Sequence, residues 1–243
     1  MKDENSSVNR FISKSFSELS SLINLNGDFD ESCILTLSFL LYEKVKTGSA
    51  VINIKKMGGN NLVSNVDIKI RDFSGAITIS IASEGTIDIG ACGQLFMDIR
   101  LGLRGALEIG EGCTCNGARI VAVNASITLG ADCMLSDEVL IQGSDQHGII
   151  NLDDMEIINK DYAEVKVAEH VWLGRRATLM PNINVDKGSI VGACSVVTKD
   201  VSKFSLVVGS PARVIKENVS WSRPWQFIDE RTKGFLAENG HDS

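Results

Sequence analysis

Residues 167–202 read VAEHVW LGRRAT LMPNIN VDKGSI VGACSV VTKDVS, a run that divides into successive blocks of six residues. A small or β-branched residue stands four positions after the start of each block, and glycine often takes the second place. This frame predicts a prism of stacked triangular coils, in which each block is a short strand with a turn and three blocks complete a coil. The residues that open the blocks are expected to face inward and stack on one another. They are all aliphatic: Val167, Leu173, Leu179, Val185, Val191 and Val197.

The same frame continues upstream of this stretch. An ordinary sandwich of short strands would instead alternate with a period of two and would show no fixed frame of six. The composition supports the repeat, because 22 glycines and only 6% aromatic residues suit a repetitive β structure. The sequence therefore predicts an all-β solenoid, a parallel β-helix. With two-residue offsets between sets of three, the upstream blocks open at Ile89, Leu95, Leu101, Ile109, Cys115, Val121, Leu129, Leu135 and Ile141.

The two ends of the chain differ in pattern from the repeat. Disorder is expected over residues 1–10, and helical character in the apolar runs 11–23 and 31–46. Another helix is expected after Pro224, at about 226–238. The predicted organisation is a polar and helical N-terminal segment at 1–49, the β-helix at 50–208 and a partly helical C-terminal tail at 209–243.

An insertion of twenty residues interrupts the blocks. The block that opens at Ile141 should lead straight into the block that opens at Val167, but residues 147–166, HGIINLDDMEIINKDYAEVK, separate them. These residues are predicted to leave the side of the prism as an extruded loop. A loop of this length with no repeat of its own is usually functional; the alternative is an insertion that drifted into the solenoid.

Charge, hydropathy and cysteine spacing limit the partners, the location and the kinds of site that this chain can have. A formal net charge of -7 argues against a nucleic-acid partner. The most apolar stretch, 33–42, is too short to span a membrane. The start, MKDENSSVNR, lacks the apolar core of a signal peptide, so a cytoplasmic location is expected. The six cysteines include no C-x-x-C pair, and several fall in repeat positions, which favours reduced thiols of the core.

Several motifs in combination resemble a known family. They are Val171–Trp172–Leu173–Gly174, Pro181, Val191–Gly192–Ala193, Val197–Thr198–Lys199–Asp200 and the segment GSPARVI at 209–215. Together they resemble hexapeptide-repeat O-acetyltransferases, both the maltose, galactoside and serine enzymes and those that decorate capsular polysaccharides, including sialic acid polymers. The resemblance implies a left-handed parallel β-helix that forms a homotrimer, with active sites between adjacent subunits and acetyl-CoA as the acetyl donor. The left-handed sense follows from the resemblance alone.

His147 is the candidate general base. It follows Ser144–Asp145–Gln146 at the root of the predicted loop, and in the resembling enzymes the catalytic histidine lies on such a loop. A sugar hydroxyl is a weak nucleophile at neutral pH, and an imidazole that titrates near neutrality can remove its proton during attack. Asp145 is expected to orient the loop or the imidazole, and with Tyr162 it is assigned to the acceptor site. His170, in a turn of its block, is expected at the surface.

Trp172 and a group of small and basic residues fall on donor positions of the resembling enzymes. The equivalent tryptophan lines the acetyl and pantetheine site there, so Trp172 is expected near His147 of a neighbouring subunit. Residues 170–216 carry seven basic and two acidic side chains, a balance that suits the phosphates of CoA. Arg175 departs from the family, where a small polar residue is frequent. The resemblance assigns the following residues to CoA: Gly174, Arg175, Ala193, Thr198, Lys199, Arg213 and Lys216.

Other functions stay open at this point. A glycan hydroxyl is the expected acceptor, because NVSWSRPW at 218–225 resembles the tails of polysaccharide-modifying members; a small sugar, an amino sugar or an antibiotic is the alternative. A γ-class carbonic anhydrase shares the β-helix but binds zinc through three histidines, and only His147 and His170 lie in or beside the prism, so no metal is expected. A non-catalytic β-helix scaffold would need neither His147 nor the CoA segment.

Overall fold

The computed structural model describes residues 10–59 and 61–241. The disorder expected at 1–10 lies, except for Arg10, outside these residues. The described chain is built mainly of strands, with two α-helices and one turn of 3-10 helix at Ser17–Leu19. A continuous apolar core, dominated by isoleucine, leucine and valine, runs through the stacked strands.

The strands before the extruded loop are β1 (Phe11–Ser15), β2 (Asn24–Asn26), β3 (Ile34–Ser38), β4 (Ala50–Lys56), β5 (Val66–Ile81), β6 (Gly85–Gly102), β7 (Gly105–Ile109), β8 (Thr114–Val123), β9 (Ala125–Leu129), β10 (Met134–Leu135) and β11 (Val139–Gln142). The loop itself carries β12 (Ile150–Asn151) and β13 (Glu156–Ile157). After the loop come β14 (Ala163–Val167), β15 (Trp172–Leu173), β16 (Thr178–Leu179), β17 (Ile183–Val185), β18 (Ile190–Val191), β19 (Val196–Val197), β20 (Ser205–Gly209) and β21 (Ala212–Glu217). The helices are α1 (Phe39–Lys46) and α2 (Glu230–Glu238).

These strands stack in parallel rows that form the three faces of a left-handed β-helix. The first face contains β7, β9, β14 and β17, the second β10, β15, β18 and β20, and the third β11, β16 and β19. The longer strands β5, β6 and β8 bend from one face to the next. One coil takes 20 residues where Ile109 stacks on Leu129, and 18 residues where Val167 stacks on Val185.

The six-residue frame is confirmed on the first and second faces, where the opening aliphatic residues are buried and in register. On the third face the frame slips. Ile120 rather than Val121 pairs with Ile141, and Ile99 rather than Leu101 pairs with Ile120. Added residues cause this slip in two steps. Between matched pairs, β8 carries one residue more than β6, at a β-bulge, and the stretch from β10 to β11 carries one residue more than the part of β8 with which it pairs.

The N-terminal segment is less helical than the sequence predicted. The helix expected at 11–23 is wrong, since this run forms β1 and the 3-10 turn, and β1 pairs antiparallel with β3. In the run 31–46 only the second half is helical. Ser38 ends β3 and caps α1, because its Oγ accepts a hydrogen bond from the Leu41 N–H at 3.1 Å. Since β2 and β3 pair in parallel with β4 and β5, the stacking begins before residue 50.

The extruded loop occupies residues 143–162. Strand β11 ends at Gln142, and β14 begins at Ala163 and pairs along its whole length with β9. The loop therefore has the expected length but lies four residues upstream of the predicted 147–166. The residues AEVK at 163–166 belong to the first face, where Ala163 and Val165 point into the interior and are buried.

The C-terminal tail turns back along the prism. Strand β21 pairs antiparallel with β20, and the chain then runs along one corner before it forms α2. The helix expected at 226–238 is confirmed but begins at Glu230, because Asp229 caps it by accepting a hydrogen bond from the Thr232 N–H at 2.9 Å. Among the described residues, no helix is long and apolar enough to cross a membrane.

Candidate active site

His147 is exposed at the root of the extruded loop, shortly after β11 leaves the third face. Asn159 braces this root from the opposite side of the loop. Its Nδ2 donates to the His147 carbonyl at 2.8 Å and its Oδ1 accepts from the Ile149 N–H at 2.7 Å. None of the described residues hydrogen-bonds to the imidazole of His147, so the ring is presented to solvent on a fixed backbone.

The two residues assigned to the acceptor both hold the loop in place. Asp145 Oδ2 accepts a hydrogen bond from Asn159 Nδ2 at 2.9 Å, so this carboxylate orients the loop rather than the imidazole. At the far end of the loop, Tyr162 donates from its hydroxyl to the Arg104 carbonyl at 3.2 Å, and burial raises the pKa of its phenol. The sequence does not reveal Asn159, because nothing in its neighbourhood marks it as the residue that bonds the end of the loop to its beginning.

Trp172 begins β15 on the second face and is half-buried. Its indole Nε1 donates to Ser136 Oγ at 3.2 Å, a contact within the same face. His147 follows the third face instead, so one chain places the two side chains on different sides of the prism.

Gly174 and Ala193 lie on adjacent coils, where backbones approach closely. A Cβ at Gly174 would stand 2.8 Å from the Ala193 nitrogen, so the stacking of the coils itself requires glycine. The Gly174 N–H donates to the Val191 carbonyl at 2.8 Å and is therefore not free for the pantetheine arm. Ala193 lies in an exposed turn and remains accessible to a ligand.

Arg175 and its neighbour Arg176 share one carboxylate. Arg175 Nη2 lies 2.9 Å from Glu138 Oε1, and Arg176 Nε lies 2.5 Å from Glu138 Oε2. The hydrogen bonds from Arg176 and then Arg175 lower the pKa of Glu138 to about 2. Glu138, which sequence reasoning did not single out, thus fixes the position of the unusual Arg175 at the corner between the second and third faces.

The remaining residues assigned to CoA cluster at the C-terminal end of the prism. Lys199 and Arg213 line the same cavity of about 230 Å³, which the strand β21 partly covers. Thr198 precedes Lys199 and is exposed, and Lys216 is exposed farther along β21. The structure thus brings two of the three predicted phosphate-binding cations together and leaves all three accessible.

His170 is buried, contrary to the expectation that it lies at the surface. Only 1% of it is exposed. Its Nδ1 lies 2.7 Å from Asp132 Oδ2, its Nε2 lies 3.0 Å from the Trp221 carbonyl, and its ring stacks on Trp221 at 4.3 Å. Burial alone would raise the pKa of Asp132, but hydrogen bonds from His170 and Arg223 outweigh burial and hold that pKa below its ordinary value. His170 is a structural residue that the tail covers.

The cysteines are free thiols, as predicted. Cys33, Cys113, Cys115 and Cys133 are buried, whereas Cys194 is exposed in a turn. Burial raises the pKa of the Cys115 thiol to about 12, which suits an unreactive core residue. Residues 10–59 and 61–241 contain no group of three or more histidine, cysteine, aspartate or glutamate side chains placed to hold a metal ion.

Comparison with known proteins connects this geometry to a family. The chain is 30% identical over 168 residues to a polysialic acid O-acetyltransferase of Neisseria meningitidis, and the alignment covers 69% of this chain and 74% of that relative. The chain belongs to the hexapeptide-repeat O-acetyltransferases. No family model matches it.

Two further O-acetyltransferases match parts of the chain. A polysialic acid O-acetyltransferase of Escherichia coli O1:K1 is 36% identical over 109 residues, which are 44% of this chain. The alignment spans only about a third of that relative's length, 34%. A putative lipopolysaccharide biosynthesis O-acetyl transferase of Escherichia coli K12 is 25% identical over 155 residues, which are 60% of this chain and 79% of the relative.

Solved structures support the fold of this O-acetyltransferase. A crystal structure of a polysialic-acid-specific acetyltransferase has a TM-score of 0.72 at 23% identity and covers 89% of this chain and 94% of its own. A polysialic acid O-acetyltransferase structure has a TM-score of 0.53 at 22% identity and covers 89% of this chain and 96% of its own. At these identities the likeness shows the β-helix alone.

Proposed function

We propose that this hexapeptide-repeat O-acetyltransferase transfers acetyl from acetyl-CoA directly to a hydroxyl of a surface glycan, of the capsular polysaccharide or sialic acid type. The observation that carries the proposal is the exposed imidazole of His147, braced through its backbone by Asn159 at the root of the extruded loop. The names of the relatives support the acceptor class, since two of them are polysialic acid O-acetyltransferases.

The proposed chemistry needs one general base and no acyl-enzyme. The imidazole of His147 takes the proton of the acceptor hydroxyl as its oxygen attacks the thioester carbon of acetyl-CoA. The bond between that carbon and sulfur then breaks, and the leaving CoA thiolate takes a proton, for which the imidazolium is the source. The products are the O-acetyl ester and CoA, with the imidazole returned to its neutral form.

The test is release of CoA thiol, measured with a thiol reagent, in the presence of a panel of acceptors. We expect acetylation of acidic polysaccharides such as polysialic acid. Free sugars, amino sugars and chloramphenicol form the comparison set. Chloramphenicol is included because a chloramphenicol acetyltransferase of Morganella morganii matches 57 residues of this chain at 39% identity. Thiol release that no glycan accelerates would contradict the proposal, and release specific to chloramphenicol would favour the antibiotic alternative.

The donor site is proposed at the C-terminal end of the prism. Lys199 and Arg213, which share a cavity, and the exposed Lys216 would pair with the phosphates of CoA. Trp172 and the exposed turn at Ala193 would line the path of the acetyl and pantetheine groups. Arg175 would contact CoA at the edge of this path, because Glu138 holds its guanidinium there.

Lys199→Ala is expected to separate the donor from the acceptor. Loss of one charge-assisted contact should raise the KM for acetyl-CoA about tenfold and leave the acceptor KM unchanged. Tyr162→Ala, in the loop, should instead raise the KM for the acceptor and leave the KM for acetyl-CoA unchanged. Steady-state kinetics with each substrate varied in turn measure both constants, and Lys203→Ala, another exposed lysine of the same end, is the control. If both variants shift the same constant, the assignment of the two sites is wrong.

We further propose a homotrimer whose active sites lie between subunits, because His147 and Trp172 lie on different sides of one prism. His147→Ala and Trp172→Ala proteins should each be inactive alone. Co-refolded in equal amounts, they should regain about a quarter of the wild-type activity, because three quarters of the trimers are mixed and each mixed trimer has one intact site of three.

Subunit exchange without recovered activity would place both residues in a site within one chain. The control is a mixture of His147→Ala protein with a differently tagged copy of itself, which should remain inactive after exchange. Light scattering on the wild-type protein gives the independent measurement, and a stable monomer at micromolar concentration would contradict the trimer.

A further inference from the structure

A shallow groove of about 670 Å³ runs along the third face toward the extruded loop. This volume lies in the range of small-molecule and oligosaccharide sites. The groove crosses several coils, because Arg100 pairs in register with Val121 and Val121 with Gln142. Its end nearest the loop is Gln146, the residue that precedes His147. A ligand lying in the groove would therefore reach the candidate base.

The side chains that line the groove are those expected for a sugar. Phe96 is 40% exposed and offers an aromatic face on which a pyranose ring can stack. Gln146 provides an amide donor and acceptor for hydroxyl groups, and Gln142, whose Nε2 donates to the Ser144 carbonyl, provides its amide oxygen as an acceptor. The two arginines of the groove, Arg100 and Arg119, provide donors for carboxylates.

The charged side chains that line the groove, taken together with their ion-pair partners, carry a net charge opposite in sign to that of the whole chain. Asp98 Oδ2 holds Arg119 in place at 3.1 Å from Nε and 3.0 Å from Nη2, and no described carboxylate lies within ion-pair distance of Arg100. The resulting formal charge is +2 in a chain of -7. Arg100, Arg119, Asp98 and Glu138 line the groove and balance one another, and the excess comes from Arg175 and Arg176, which both pair with Glu138 at its rim.

The extruded loop cannot supply this attraction. Its one lysine, Lys160, is outnumbered by five carboxylates: Asp145, Asp153, Asp154, Glu156 and Asp161. An acidic acceptor would be repelled by the loop and attracted by the third face. The loop can still present His147, while the groove determines which polymer approaches it.

We propose that the third-face groove is the binding site for a carboxylate-bearing glycan. Arg100 and Arg119 pair with carboxylates of the polymer, Phe96 stacks on a sugar ring, and the chain runs past Gln146 to place a hydroxyl at His147. This inference rests on the proposed glycan O-acetylation and adds the place where an acidic acceptor binds and the residues that select it.

The first test measures binding without turnover. Fluorescently labelled polysialic acid is titrated into the His147→Ala protein and into the same protein with Arg100→Gln and Arg119→Gln, with dextran as the neutral probe. We expect the double substitution to weaken polysialic acid binding by at least tenfold and to flatten its salt dependence. Arg71→Gln, an arginine paired with Asp88 at 2.7 Å outside the groove, should leave binding unchanged. Equal binding by the double variant, or dextran bound as tightly as polysialic acid, overturns the proposal.

The second test separates the groove from the proposed function. In the protein with an intact His147, Arg100→Gln with Arg119→Gln should raise the KM for polysialic acid and leave the KM for acetyl-CoA unchanged, and Arg100→Lys should restore part of the affinity. If the wild-type protein binds the polymer but does not acetylate any glycan, the groove stands and the proposed function fails. If it acetylates a glycan and the arginine variants leave the acceptor KM unchanged, the groove fails and the function stands.

Discussion

His147→Ala is expected to lower kcat about a hundredfold or more, the usual size of the effect when a general base is lost. The side chain is exposed and its backbone is held by Asn159, so its removal should leave the fold and the affinity for CoA unchanged. The measurement is kcat from thiol release at saturating acetyl-CoA and acceptor, together with the CoA dissociation constant from calorimetry. Near-normal turnover in this variant would move the base to another residue.

The other histidines give controls with different outcomes. His241 lies at the end of the tail with its ring against Phe204 at 4.6 Å, and His241→Ala should retain kcat. His170 is out of reach of an acceptor, because it is 1% exposed and both of its ring nitrogens have partners. His170→Ala should therefore lower the melting temperature rather than selectively reduce kcat.

The repeat could be predicted from the sequence because each inward residue has a counterpart one coil away. That periodicity fails where the backbone adds a residue. One residue is added in β8 and another between β10 and β11, and both shift the third face without leaving any mark in the six-residue frame. At the N-terminus the failure has another cause. The run 11–23 has the composition of a helix, but β3 offers β1 a partner strand, and this tertiary pairing overrides local propensity.

Of the candidate site, the sequence reveals where His147 lies but not what surrounds the other candidates. His147 follows a repeat block and precedes a segment that breaks the frame, so its place at the loop root is visible in the sequence. The burial of His170 is not visible, because Trp221 lies 51 residues away and covers it only after the tail turns back. The contact between Glu138 and Arg175 likewise joins successive coils that the extruded loop separates in sequence.

The tail contacts one coil after another along a corner of the prism. These contacts give hydrogen-bond partners to polar groups of the turns that would otherwise face water. They also connect coils that are distant in sequence. The tail thus fastens five coils into one unit, which adds to the stability of nearest-neighbour stacking in a solenoid. The contacts are the Val219 N–H to the Phe204 carbonyl at 2.9 Å, Ser220 Oγ to the Gly188 carbonyl at 3.1 Å, Trp221 Nε1 to the His170 carbonyl at 2.9 Å, Arg223 Nη2 to Asp132 Oδ1 at 2.7 Å and Arg223 Nη2 to the Gly112 carbonyl at 3.2 Å.

Trp221→Ala should destabilise the protein by about 3–5 kcal/mol, the usual cost when a buried tryptophan is truncated. The side chain is 6% exposed, stacks on His170 and donates one of the tail's hydrogen bonds, so its loss opens a cavity and uncovers the pair of His170 and Asp132. For a chain of this size the melting temperature should fall by about 10 °C. Trp225→Ala is the matched control, because that tryptophan is four residues away and 89% exposed, and its loss should change stability by less than about 0.5 kcal/mol. Thermal unfolding followed by circular dichroism measures both variants, and equal melting temperatures would show that the tail does not fasten the coils.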